Sequence, residues 1–259
     1  FLVGALVLGT ALPHFLKDIK GELSWEFVLL ITSSLAVIGG ILIISTIPDG
    51  PFRKPSQKLN LSAIPKIFKG KRFRAAAFGY FGHMWELYAF WAFVPVILLY
   101  YAEMHPNVSF NIPLLSFIVI SAGSLACVFG GYLAQKFGVK KVAFISLFLS
   151  CFCCIISPIV FLVESEIVFI TFLIFWGMVV ISDSPLFSTL VAQNAPSELK
   201  GTALTIVNSI GFAITILSIQ LLNELKEYTN SINIFVILAL GPILGLIALR
   251  KEKSTVNKT

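Results

Sequence analysis

Charge is scarce in this chain. Only 12% of its 259 residues are Asp, Glu, Lys or Arg, against about 25% in soluble domains. A water-exposed surface cannot be built from so few, so the soluble globular class is excluded. No alternation of apolar and polar residues over segments of about ten appears, which excludes a membrane β-barrel. Cysteine is sparse too: Cys127, Cys151, Cys153 and Cys154 all sit in apolar runs. The last three form C-x-C-C, but no His or acid lies close enough in sequence to complete a metal set. They are read as small buried or lipid-facing residues, and neither metal nor cofactor is expected. No charged segment precedes the first apolar run, so the start does not have the form of a signal peptide.

Hydrophobic length is abundant. Apolar residues make up 57% of the chain, and the mean hydropathy is +0.92. Eight apolar runs of helical length are read, at residues 1–16, 24–47, 74–101, 112–134, 142–163, 167–191, 202–222 and 231–249. Most are long enough to cross a bilayer of about 30 Å. The expected fold is therefore all-α, a polytopic membrane helix bundle. Connections between the runs are short, which makes neighbouring helices antiparallel. The exception is residues 48–73, rich in Lys and Arg, with Asp49 as its single acid. Leu59, Leu61, Ile64, Ile67 and Phe68 could line one side of a short surface helix there, with Pro51, Pro55 and Pro65 breaking it into pieces.

The net charge of +6 is topological and not a nucleic-acid signature. If residues 48–73 are cytoplasmic and the spans alternate, 16 of the 19 Lys and Arg fall on the cytoplasmic side. The opposite side keeps Lys17, Lys20 and Lys226 beside seven acids, among them Glu103, Glu164 and Glu166. This asymmetry follows the positive-inside rule and places the C-terminus in the cytoplasm. The organisation read is two helices in 1–47, a basic linker in 48–73, a six-helix bundle in 74–250 and a tail in 251–259.

Ionisable residues inside the spans are costly and usually functional. In the third span His83 and Glu86 sit three residues apart on one helix face, continued by Gly79, Phe90 and Ile97. Burial in an apolar bundle lets a Glu hold a proton near neutral pH, and a neighbouring His, titrating unperturbed at about 6.5, can share it. The competing reading is a structural pair that locks helix packing. Asp183 is followed by Ser184 and Pro185, so the sixth span should kink there and free a backbone carbonyl. Asp183 is read as a proton or cation site, or as a structural partner for a neighbouring hydroxyl. Gly201, Thr205, Asn208, Thr215 and Ser218 form a polar stripe at helical spacing along the seventh span. They line a substrate path or pack on the next helix. Asn208 is the best hydrogen-bonding candidate, with Phe90 and Phe212 as apolar walls. Pro95 is where a bend of the third span is expected.

Between the fourth and fifth spans, Gly130-Gly131-Tyr132-Leu133-Ala134-Gln135-Lys136-Phe137-Gly138-Val139-Lys140-Lys141 resembles the cytoplasmic loop motif G-x-L-a-D-r-x-G-r-k of the major facilitator superfamily. Its glycines suit a tight turn and close helix approach, and Lys136, Lys140 and Lys141 suit lipid headgroups. Gln135 stands where the family has an Asp that helps latch one conformation, which replaces a charge-assisted contact by a neutral one. Two helices before a basic linker and six after it also resemble that superfamily, whose fold has two six-helix halves. The resemblance implies about eight spans of that fold, with the first four helices and part of a fifth lacking. The stretches at 79–88 and 182–205 resemble a bacterial branch grouped with nitrate/nitrite porters and cyanate permeases. The buried Arg of nitrate porters is not found in 112–134, and an anion site without a buried cation is disfavoured. Gly4, Gly9 and Pro13 do not match the spacing of the antiporter motif.

These features imply a secondary transporter of a small solute, coupled to protons through His83, Glu86 and Asp183. It would sit in the inner membrane and act as a monomer with its N-terminal half, the solute site lying between the halves. An intramembrane enzyme using His83 and Glu86 as acid and base lacks a nucleophile or a metal set. A non-transporting remnant of a carrier is the remaining alternative.

Overall fold

The structure, a computed structural model, describes residues 5–20, 25–48, 64–229 and 231–250. The described residues contain helices and no strand. A π-helical stretch Ala5–Ala11 runs into α1 (Leu12–Lys20), followed by α2 (Trp25–Thr46), α3 (Ile64–Phe68), α4 (Lys71–Met104), α5 (Ile112–Phe137) and α6 (Val139–Phe161). Then come α7 (Glu166–Ser182), α8 (Ser184–Asn194), α9 (Lys200–Tyr228) and α10 (Leu240–Arg250). Seven helical segments among the described residues have membrane-crossing length and hydropathy, and Val7–Leu16 is a shorter apolar helix. The all-α bundle is thus as expected.

Local chemistry explains several boundaries. At the start of α5, Asn111 Oδ1 accepts the Leu114 N–H at 3.1 Å, and Pro113 occupies the first turn, where no N–H is needed. Gly138 separates α5 from α6 with φ +91°, a conformation that side chains with a Cβ resist. Pro65 is the second residue of α3. It lies in that helix's first turn, where proline starts a helix instead of ending one. Ile67 is buried beside Phe73, while Leu59 and Leu61 lie outside the described residues. Arg74 ties this corner down by donating from Nη1 to the Phe68 and Lys69 carbonyls at 3.0 and 3.2 Å.

The last span opens as a 3₁₀ stretch, Ile232–Ala239, before α10. Such a length is unusual for this helix type. Pro242 cannot supply the N–H that an α-helical Leu238 carbonyl would require.

The fourth helix, α4, is the axis of the bundle and packs against α8, α9 and α10. Glycine makes the closest crossing possible. A Cβ on Gly82 would run into the Gly241 carbonyl oxygen and come within 3.1 Å of Gly245 Cα. A second close crossing joins α5 to α7, where a Cβ on Gly177 would sit 2.5 Å from the Val119 carbonyl oxygen. Backbones that touch in this way pack by dispersion without large side chains between them. By contrast α2 buries no residue at all and turns Leu, Ile and Phe side chains outward along its length.

The buried apolar residues fall into two clusters. One holds Leu87, Phe90, Tyr101, Phe161, Phe169 and Trp176; the other holds Phe73, Met84, Leu147, Phe187, Val207 and Leu249. Along α4 the division falls between Met84 and Leu87, and along α6 between Leu147 and Cys151. The ionisable residues lie in that seam.

Candidate functional site

The polar face of α4 looks into the bundle to which it belongs. Gly79, His83, Glu86, Phe90 and Ile97 are all buried, as are Tyr80, Leu87 and Trp91 on the other sides of the helix. His83 and Glu86 are each 1% exposed and Asp183 is 0% exposed. These values place the three groups within the six-helix bundle, enclosed by α4, α6, α7 and α8.

His83 and Glu86 do not form one unit. Successive positions on the face diverge enough to meet different helices. His83 Nδ1 lies 2.8 Å from Asp183 Oδ1, a contact across the bundle at hydrogen-bonding distance. The ring is flanked by Tyr80 and Phe187 at centroid distances of 6.1 and 6.0 Å. His83 Nε2 and Asp183 Oδ2 have no hydrogen-bonding partner among the described residues. Buried polar atoms of this kind are rare in folded proteins and call for a physical reason.

Glu86 has its own set of partners. Trp176 Nε1 donates to Oε1 at 2.8 Å, Cys154 Sγ donates to Oε1 at 3.2 Å, and Ser150 Oγ donates to Oε2 at 2.9 Å. Trp176 is held in place by Phe90, whose ring centroid is 4.7 Å away. Phe90, expected as a wall of the substrate path, is fully buried, its ring tilted at 41° against that of Trp176, a Glu86 partner.

Sequence reasoning missed Ser150, Cys154 and Trp176 as partners of Glu86. A signal existed: Ser146, Ser150, Cys154 and Ser157 recur at helical spacing, and all four are buried. A Trp deep in an apolar span also needs a partner for its N–H. The cysteines are all buried and free.

The break in the sixth span lies where Pro185 was expected to cause it. Here α7 ends at Ser182 and α8 begins at Ser184, with Asp183 between them. Pro185 has no N–H for the Ile181 carbonyl. That oxygen accepts instead from the Asp183 N–H, and from Cys127 Sγ at 3.7 Å. The break turns the Asp183 side chain towards His83.

The stripe on α9 divides in two. Thr215 and Ser218 are buried and donate to carbonyls of their own helix, Phe212 and Thr215, at 2.7 and 3.0 Å. Gly201 and Thr205 are exposed, Asn208 is half-buried, and Phe212 is half exposed with its ring 5.6 Å from Tyr88. Buried positions run along α9 from Ala203 to Leu222, so the division is one of face: Thr215 and Ser218 turn toward that packed side, and Gly201, Thr205 and Phe212 lie off it.

In the loop after α5, Gly138 supplies the turn. Gly131 does not make the expected close approach, since a Cβ there would meet nothing within 4 Å. That role belongs to Gly130, whose Cβ would lie 3.2 Å from the Ser182 carbonyl oxygen. Gln135 and Lys136 are exposed and Lys140 is half-buried. Lys136 and Lys141 hold their ammonium groups 5.4 and 5.6 Å from the Phe137 ring centroid, a cation–π geometry.

His105, passed over in the sequence, is pinned: its Nε2 is 2.9 Å from the Phe161 carbonyl and its ring lies 4.3 Å from that of Tyr101.

A bundle of membrane-length helices with three ionisable side chains buried inside it is what a multi-pass membrane protein of the transporter class presents. The family model of the Major Facilitator Superfamily matches residues 1–219, and the chain belongs to that superfamily. No curated protein matches it.

Proposed function

We propose that this protein is a secondary carrier that moves a small solute by alternating access, with proton movement through His83, Asp183 and Glu86 driving the cycle. The observation that carries the reading is the pair of unpartnered atoms, His83 Nε2 and Asp183 Oδ2, in a buried His–Asp contact. A purely structural pair gains most when every donor and acceptor is satisfied. Atoms left open in one conformation suit a pair that exchanges partners between conformations. The Asp183 break supports this, because a discontinuous helix can tilt its two parts separately. The solute would meet the accessible face formed by Thr205, Asn208, Phe212 and Tyr88, with Asn208 supplying the hydrogen bond.

Orientation follows from the Lys and Arg distribution: the basic segments and the C-terminus face the cytoplasm of a cell whose inner membrane holds the protein. A reporter fused after Thr259 is expected to read cytoplasmic, and a periplasmic signal would overturn that topology. Proton coupling is tested in vesicles carrying the protein and a trapped pH dye, with candidate solutes applied from outside. Solute addition acidifies or alkalinises the wild-type lumen, whereas Glu86→Gln abolishes the change. Undiminished proton movement in Glu86→Gln would remove Glu86 from the coupling path.

A further inference from the structure

We propose that Glu86 carries its exchangeable proton on Oε2, and that Ser150 is the positioning residue that allows the exchange without movement of the carboxyl group. This rests on the reading above that Glu86 takes up a proton. The two oxygens are not equivalent. Oε1 faces Trp176 Nε1 at 2.8 Å and Cys154 Sγ at 3.2 Å. An indole N–H only donates, and a thiol is a weak acceptor, so a proton on Oε1 would find no good partner. Oε2 faces Ser150 Oγ at 2.9 Å, and a hydroxyl both donates and accepts.

Ser150 has a second acceptor within reach, the Leu147 carbonyl oxygen at 3.1 Å. Its single hydrogen serves one of the two at a time. When Glu86 is ionised, the Ser150 hydroxyl donates to Oε2. When Glu86 is neutral, Oε2–H donates to Ser150 Oγ, and the Ser150 hydroxyl rotates to the Leu147 carbonyl. Ser150 keeps its own hydrogen throughout: the proton comes from hydronium on the aqueous side, whose O–H bond breaks as Oε2–H forms, and on release it returns to a water molecule as Oε2–H breaks. No heavy atom has to move, and neither oxygen of Glu86 loses its partner. Glu86 and Ser150 are each 1% exposed, so no water is needed to complete the set. The other titratable groups around the carboxyl are His83 on α4, Asp183 between α7 and α8, and the thiols of Cys151 and Cys153 on α6. The hydrogen bond to Oε2 is Ser150's.

The test is infrared difference spectroscopy of the purified protein between high and low pH, with circular dichroism as the check on folding. The wild type is expected to show the carbonyl stretch of a protonated carboxyl group, which Glu86→Gln removes. Ser150→Ala removes the acceptor for Oε2–H and should displace that band to higher wavenumber. Ser150→Cys, whose thiol is a poor acceptor, should displace it in the same direction and stands in if the alanine variant loses its helical spectrum. Ser146→Ala, one turn away on the same face, should leave the band in place. A band unmoved in both Ser150 variants, or moved equally by Ser146→Ala, would overturn the role of Ser150 while leaving proton uptake by Glu86 intact. A wild-type difference spectrum lacking any band sensitive to Glu86→Gln would overturn both.

Discussion

The crossing of α4 and α10 can be broken by one methyl group. In Gly82→Ala the new Cβ would press on the Gly241 carbonyl, with Gly241 C at 3.0 Å and Gly245 Cα at 3.1 Å. Carbon atoms rest at about 3.5–4.0 Å from one another. The opposing atoms are backbone, so no side chain can swing aside and the two helices must separate. Overpacking of this kind costs about 1–3 kcal/mol. Alanine also favours the helix over glycine by about 1 kcal/mol, which partly offsets the clash. Gly131→Ala isolates that gain, because a Cβ at Gly131 meets nothing within 4 Å. The difference between the two variants is then the packing term alone, about 1–3 kcal/mol. At roughly 2–4 °C per kcal/mol for a chain of this size, Gly82→Ala should melt about 2–12 °C below Gly131→Ala. The assay is thermal unfolding in detergent followed by tryptophan fluorescence. Equal melting temperatures would refute the claim that the Gly82–Gly241 contact sets the spacing of these helices.

Three further perturbations follow from the geometry. Tyr101→Phe deletes the hydroxyl that donates to the Val163 carbonyl at 2.7 Å and should cost about 1 kcal/mol, read as a lowered melting temperature. Asp183→Ala leaves His83 buried without its partner, a loss of about 1–3 kcal/mol; adding His83→Leu should recover part of it, and a strictly additive double variant would argue against the pairing. Gly138→Ala forces a Cβ into a backbone at φ +91°, costing about 1–3 kcal/mol, and a variant as stable as wild type would show that the turn relaxes freely.

Much of the fold was legible before any coordinates. Low charge and long apolar runs specify membrane helices because the bilayer demands both. Pro185 announced the break beside Asp183 because a residue without an N–H leaves a carbonyl unserved whatever surrounds it. That His83 and Glu86 share one side of α4 followed from helical periodicity. Each of these is a local rule, carried by residues within a few positions of one another.

The partners were not legible. His83 and Glu86 are neighbours in sequence, yet one meets Asp183 on the α7–α8 break and the other meets Ser150, Cys154 and Trp176. Phe90 turned out to brace Trp176, and Gly130 rather than Gly131 lies against the α7 backbone. No periodicity can decide such matters, because they depend on how far one helix is rotated and shifted against another. That rotation is set by contacts as small as Gly82 on Gly241. The sequence by itself determined a multi-pass helical protein with ionisable groups at mid-depth. Tertiary structure alone decided which of those groups share a partner, since hydrogen bonds act over about 3 Å and only packing brings distant segments that close.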